Sequence, residues 1–321
     1  MGRPLEYFLA ERFDGPRSLG MVVHRSTLAK HVALQFTKLV SQKTDGEMLI
    51  QMYQHAIPKS FYKQVEVLSS CSIEITRDDL LSFERYAPLC GLIGLPYFFQ
   101  DRAQYYRFLK SDIFQEHIFQ PLLNNGIRIL NAANGWESKS FELLFSTFPV
   151  FTPADLQDRN FRSYDSHPAN ALRKALKSKP TIVHWDESYQ AFKNGEIDLF
   201  LTPTSYMLPL KLHEVANYVT VINYGYTQNL ITAISEREYR KLPPKVQKAL
   251  NESLEETGNY YQDVIQKQSQ LNIEKMSGEF GIPIIQPSNN IWQARFREAI
   301  RQICLEGQLM TRKMYEALQQ I

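Results

Sequence analysis

Segments with strand and helix patterns alternate along the chain, and this order restricts the fold more than any other feature of the sequence. Residues 18–24 predict a buried strand, residues 27–43 carry apolar side chains at helical spacing, and residues 48–53, 61–68 and 72–76 predict strand, helix and strand. The pair Asp45-Gly46 should end the first helix. Because parallel strands need crossover connections, this order predicts a mostly parallel sheet with helices on both faces.

The same alternation begins again in the second half. Strands are predicted at 128–132, 160–164, 181–185 and 197–201, with helices at 168–176 and 187–193. Residues 245–279 then predict one long polar helix with a solvated face, either a surface helix or a strut that links two lobes. Two α/β units would have a cleft between them, and clefts of this kind bind small ligands.

Composition and charge exclude several classes of protein. The 321 residues are 44% apolar and 22% charged, which is typical of a globular chain. The formal net charge is only +2 and no block of like charges occurs, so binding to nucleic acid through bulk phosphate attraction is not expected. The longest apolar stretch, residues 89–99, is too short and too often broken by glycine and proline to cross a membrane.

Motifs of the common enzyme classes are absent from the sequence. There is no G-x-S-x-G elbow, phosphate-binding loop, H-E-x-x-H pair or G-x-G-x-x-G turn. The three cysteines are far apart and predict free thiols, and the seven histidines have no metal-site spacing. The run His184-Trp185-Asp186-Glu187 gathers a base and two carboxylates, but neighbouring strand residues face opposite ways and Asp186 is also a good helix N-cap.

Arg162 lies within the predicted strand 160–164. A guanidinium that projects from a strand end into a cleft can hold a carboxylate through two parallel hydrogen bonds. From these residues alone, a solvated arginine without a binding role is the other interpretation.

Several short stretches, in order, resemble the substrate-binding proteins of TRAP transporters. Together they extend over roughly residues 18–300. They are Phe36-x-x-Leu39-Val40 ending in Thr44-Asp45-Gly46; Leu95-Pro96-Tyr97-Phe98-Phe99; Thr152-Pro153-Ala154-Asp155-Leu156 leading to Phe161-Arg162; Tyr189 to Asp198 followed by Pro203; Lys211 to Ala216; Asn223 to Tyr226; and Leu242 to Gln247.

The resemblance implies a two-lobed α/β binding protein with a hinge and a long helix that spans both lobes. The expected lobes are residues 1–132 with about 226–256, and residues 133–225 with about 257–321. Such a protein closes on a small organic acid and delivers it to the integral-membrane subunits of a TRAP permease, without catalysis and without a cofactor. We expect a monomer with no nucleic-acid partner. We also expect a periplasmic location, although residues 1–17 carry no recognisable export signal.

The resemblance also implies site residues. Arg162 matches the arginine that grips the ligand carboxylate, while Trp185, Thr202 and Asp79 match an aromatic, a polar and an acidic position of the family. Lys139, Tyr224 and His24 are further candidate contacts. The family's second arginine is missing after Asn134-Gly135, which argues against a doubly clamped dicarboxylate, and the apolar Leu201 replaces an acidic metal ligand, so no metal is expected.

Two alternatives to a transport receptor remain. A protein of the same fold could report ligand occupancy to a signalling system. Less favoured is an enzyme on a two-lobe scaffold that uses His184, Asp186 or Glu187.

Overall fold

The computed structural model describes residues 17–23, 27–54, 62–130, 142–222, 230–307 and 309–321. The chain divides into two compact units. Unit 1 is Met1–Cys90, Leu109–Ser138 and Gln228–Asp263, and unit 2 is Gly91–Phe108, Lys139–Thr227 and Val264–Ile321. Residues 91–108 belong to unit 2, whereas the sequence analysis placed them in the first lobe. The predicted lobes are the rigid bodies that we expect to move about a hinge, and their boundaries remain a prediction.

Strands and helices alternate over most of the described chain. The strands are β1 Arg17–Val23, β2 Met48–Gln54, β3 Ile75–Asp79, β4 Ile127–Ile129, β5 Glu142–Ser146, β6 Asn160–Ser163, β7 Lys179–Ile182, β8 Leu199–Pro203, β9 Tyr218–Ile222, β10 Leu230–Ser235 and β11 Ile284–Ile285. The helices are α1 Thr27–Lys43, α2 Lys63–Ser69, α3 Leu89–Ile93, α4 Arg102–Leu109, α5 Asp112–Phe114, α6 Gln120–Asn124, α7 His167–Ala175, α8 Ser188–Lys193, α9 Glu236–Arg240, α10 Pro244–Gly278, α11 Asn289–Leu305 and α12 Arg312–Gln320.

The sheet of unit 1 has the order β2-β1-β3-β10-β4. β1 is parallel to β2 and β3, as the alternating pattern predicts. β10 runs antiparallel to both of its neighbours. The sheet is therefore mixed rather than parallel throughout.

The sheet of unit 2 has the order β11-β9-β5-β8-β6-β7. Here β6 is parallel to β7 and β8, and β9 is parallel to β11. β5 is the single antiparallel strand and lies between β8 and β9. Each sheet thus carries one antiparallel strand that the sequence analysis did not predict.

Helix α1 illustrates how the sequence specifies local structure. Val32, Phe36 and Val40, at spacings of four, are fully buried, so one face of the helix forms core. The chain then turns through Asp45 and Gly46, both with positive φ, and the Gly46 N–H donates to the Ser41 carbonyl at 2.8 Å. The predicted helix end at this pair is confirmed.

Helix α10 is 35 residues long and matches the predicted helix 245–279 closely. It contributes residues to both units. Its glutamines and charges are mostly exposed, but a stripe of buried side chains at spacings of three and four runs along the helix, and it includes Leu250, Leu254, Tyr261, Ile265 and Met276.

Two negative findings apply to the described residues. None of the helices there has the length and apolar character to cross a membrane. Within the same residues, no three histidine, cysteine, aspartate or glutamate side chains are grouped so that they could hold a metal ion.

Candidate functional site

Arg162 is a buried cation in unit 2. It lies on β6, and its side chain is only 4% exposed. Its Nε donates to the Val183 carbonyl at 3.1 Å. Since side chains alternate along a strand, Arg162 points to the face opposite that of Phe161 and Ser163.

The surroundings of Arg162 are aromatic rather than acidic. Its Cζ lies 4.3 Å from the ring centroid of Tyr164 and 5.0 Å from those of Trp185 and Phe200. Burial lowers the pKa of the Arg162 guanidinium, and a hydrogen bond with the Tyr164 hydroxyl opposes this shift. Among the described residues no carboxylate forms an ion pair with Arg162. The side chain is therefore a desolvated positive charge without a counter-charge there.

Trp185 begins the single 3-10 turn Trp185–Glu187 that follows β7. His184 caps this turn, because its Nδ1 accepts from the Asp186 N–H at 3.4 Å. The indole packs edge-on against Phe200 and Tyr206, with centroids 5.1 and 5.0 Å apart. Asp186 is not the N-cap of the helix that follows, as the sequence suggested, because α8 begins at Ser188 and its N-cap residue is Glu187, which makes no side-chain cap hydrogen bond.

Thr202 lies on β8, two residues after Phe200, so both side chains point to the same face of the sheet. It is fully buried, and its Oγ1 has no hydrogen-bond partner within the described residues. A buried hydroxyl without a partner costs stability, so the Thr202 Oγ1 is an unsatisfied polar group on the face of the sheet that also carries Phe200. Its neighbour Leu201 is 8% exposed and, as expected from its apolar side chain, offers no ligand for a hard cation.

Asp79 ends β3 in unit 1 and has a structural partner of its own. Its Oδ1 accepts from the Leu81 N–H at 3.0 Å and so caps the 3-10 turn Leu80–Phe83. Burial raises the pKa of Asp79 to about 6. The neighbouring Asp78 is buried as well, and its Oδ1 accepts from the Asp79 N–H at 2.8 Å.

The structure thus brings two predicted residues, Arg162 and Trp185, into contact and places Thr202 on the adjoining strand. His24, Lys139 and Tyr224 lie outside the described residues. Sequence reasoning did not single out Phe200 or Tyr206 as neighbours of the site. The position of Phe200 follows from the strand pairing, because the register sets Phe161 beside Leu199, so the next residues along, Arg162 and Phe200, share the other face. Tyr206 lies in the 3-10 turn after β8 and has no such signal.

Comparison with known proteins identifies the family of the chain. A family model described as bacterial extracellular solute-binding protein, family 7, matches residues 19–309. The 2,3-diketo-L-gulonate-binding periplasmic protein YiaO of Escherichia coli is 24% identical over 81% of this chain and 77% of its own length. The C4-dicarboxylate-binding periplasmic protein DctP of Rhodobacter capsulatus is 23% identical over 76% of this chain and 72% of its own.

A solved structure shows the same fold. A TRAP periplasmic solute-binding protein from Sulfurospirillum deleyianum, with bound succinate, superimposes with a TM-score of 0.80 at 20% identity, covering 95% of this chain and 99% of that one. The expected two-lobed α/β fold is confirmed by this likeness. Since the family model matches most of its length, the chain belongs to family 7 of the bacterial extracellular solute-binding proteins.

Proposed function

We propose that this protein is an extracytoplasmic receptor that binds a small organic acid through Arg162 and delivers it to a TRAP membrane permease. The observation that carries the proposal is the buried guanidinium of Arg162 without a carboxylate partner among the described residues. Relatives named for binding 2,3-diketo-L-gulonate and C4-dicarboxylates, and a structural neighbour with bound succinate, support an acidic ligand.

A carboxylate supplies what Arg162 lacks. A guanidinium has five N–H donors, and the Val183 carbonyl and the Tyr164 hydroxyl use at most two of them. The remaining donors can bind one carboxylate in the bidentate arrangement that this planar group favours. The Thr202 hydroxyl, buried without a partner, can donate to the same ligand.

The proposal extends to a protein that binds without chemical conversion, acts as a monomer outside the cytoplasmic membrane and uses no cofactor. The alternative of acid-base catalysis at His184, Asp186 and Glu187 is weakened by their local roles. These residues form one capped 3-10 turn, in which the Glu187 N–H also donates to the His184 carbonyl at 2.9 Å.

Replacement of Arg162 by alanine tests the proposal. A charge-assisted hydrogen bond contributes about 1.5 to 3 kcal/mol, so Arg162→Ala should weaken carboxylate binding at least about tenfold. Titration calorimetry with succinate and a panel of monocarboxylates measures this change. The same samples, analysed for product after incubation, test the absence of turnover.

Arg159→Ala is the matched control. Arg159 precedes β6, is exposed and stacks on Phe148 at 4.1 Å. It should retain the wild-type affinity. Circular dichroism of both variants separates a loss of binding from a loss of folding. Unchanged affinity in a folded Arg162→Ala protein would refute the proposal.

A further inference from the structure

Four aromatic side chains surround or adjoin Arg162, and we refer to them as the aromatic wall: Tyr164, Trp185, Phe200 and Tyr206. The ring centroids of Tyr164, Trp185 and Phe200 lie 4.3 to 5.0 Å from the Arg162 Cζ. The Tyr206 ring packs against Trp185, with the two ring centroids 5.0 Å apart. Phe200 is fully buried, whereas the other three rings are half-buried. Apolar ring surface thus lies beside the cation, and part of it, on the three half-buried rings, is exposed.

One positive charge, that of Arg162, lies against the aromatic wall. Arg173 is the cation whose charge also acts on Arg162 to lower its pKa. It is buried, and its guanidinium stacks on Phe161 at 3.9 Å. Phe161 points to the opposite face of β6 from Arg162, so Arg173 belongs to that other face. Within the described residues of unit 2, the cation beside the aromatic wall can therefore pair with one carboxylate rather than two.

Hydrogen-bonding groups on this face are few among the described residues. Besides the tyrosine hydroxyls, they include the Thr202 Oγ1 on β8 and the hydroxyl of Thr181, the β7 residue that pairs with Arg162. A sugar acid that lay against this surface would have to bury several hydroxyl groups against rings, and each unpaired hydroxyl would reduce affinity. A planar apolar group can instead stack on or pack edge-on against the rings.

We propose that the ligand is a monocarboxylate with a planar apolar body, held by its carboxylate on Arg162 and by its body against Trp185 and Tyr206. This inference rests on the proposed function, since it identifies the class of acid. Trp185 and Tyr206 are then specificity residues, and Arg162 is the common anchor for any acid.

Titration calorimetry with three probes tests the inference: phenylacetate, succinate and glucuronate. We expect phenylacetate to bind at least about tenfold more tightly than the other two. Trp185→Ala should weaken phenylacetate binding about tenfold or more, while Trp185→Phe should restore most of it. Arg162→Gln should weaken whichever acid binds.

Phe151→Ala is the matched aromatic control. Phe151 is 58% exposed and follows β5, whose last residue, Ser146, pairs with the first residue of β8, Leu199. The carbonyl of Val150, the residue before Phe151, accepts from the Thr220 Oγ1, and Thr220 shares its face of the sheet with Leu144 and Leu201 rather than with Phe200. Removal of the Phe151 ring should therefore leave phenylacetate binding unchanged.

The outcomes separate the two proposals. If succinate or glucuronate binds more tightly than phenylacetate, and Arg162→Gln abolishes that binding, the inference fails and the proposed function stands. If Arg162→Gln leaves all affinities unchanged, or no carboxylate binds, both fail. If phenylacetate binds but Trp185→Ala does not weaken it, the role of the wall is overturned.

Discussion

Asp78 should make the folded chain less stable as the pH rises, which is the reverse of the usual effect of a paired carboxylate. It lies on β3, is 8% exposed, and accepts a hydrogen bond from the Asp79 N–H. Burial raises the pKa of Asp78 from its ordinary 3.8 to about 7. The folded chain therefore holds a proton that the unfolded chain has already released between about pH 4 and pH 7. Over this range stability falls, and above about pH 7 it levels off.

The magnitude follows from the two pKa values. At 1.36 kcal/mol for each pH unit, the difference between 3.8 and about 7 corresponds to at most about 4 kcal/mol of destabilisation at pH 8. Asp78→Asn removes the ionisable group and keeps an oxygen acceptor for the Asp79 N–H. The variant should exceed the wild type in stability by up to about 4 kcal/mol at pH 8, and by only about 0.5 kcal/mol at pH 4.

Urea unfolding of both proteins at pH 4 and pH 8, followed by circular dichroism, measures the difference. Asp263→Asn serves as the control, because Asp263 is an exposed aspartate on α10 and should change stability little at either pH. A stabilisation of the same size at both pH values, or a loss of stability in Asp78→Asn at pH 8, would refute the reasoning.

Two further substitutions test buried polar contacts. Asn272→Ala should lower the free energy of unfolding in urea by about 1 to 3 kcal/mol, because the Asn272 Nδ2 donates to the buried carbonyl of Thr204 at 3.0 Å. As a control, Asn259→Ala at an exposed position of the same helix should change the free energy of unfolding by less than about 0.5 kcal/mol. Equal effects of the two would contradict the role of this contact. Burial acts to raise the pKa of Glu236, but hydrogen bonds from Arg128 and Arg240 outweigh it, so the pKa is lowered. Glu236→Gln should therefore cost about 1 to 3 kcal/mol at pH 7, and the difference from wild type should shrink below pH 4 in thermal unfolding; a constant difference would show that the charge is unimportant.

Amphipathic helices and their ends were predictable from the sequence. Helix α1 has the predicted bounds 27–43, because its apolar spacing and the Asp45-Gly46 turn act locally. The strand expected at 72–76 is instead β3 at Ile75–Asp79. Cys71 adopts a positive φ of 56°, which extends the turn after α2 and delays the strand, and nothing in the apolar pattern shows this conformation.

Strands whose partners are distant in sequence were not predictable in the same way. β5, β9 and β10 were missed, although all three are central in their sheets or next to a central strand. Their apolar runs are short and could equally belong to buried helices. Pairing with strands far along the chain, rather than local pattern, makes them strands.

The candidate site, too, was predictable from the sequence only where local pattern determines the structure. Arg162 was correctly placed on a strand, since its flanking residues carry a local strand pattern. Its contact with Phe200 depends on the register between β6 and β8. The contact between Trp185 and Tyr206 depends on two turns that follow different strands. Neither is encoded in the spacing of residues along one segment.

The position of β10 has a consequence for the order of events during synthesis. β10, residues 230–235, lies between β3 and β4 and hydrogen-bonds to both. A nascent chain shorter than about 230 residues therefore holds β4 with no strand to join it to the rest of its sheet. Unit 1, although it begins the chain, completes its sheet only after most of unit 2's strands have been made. Such non-local pairing slows folding, so the sheet of unit 1 stays incomplete on the ribosome until β10 has been synthesised.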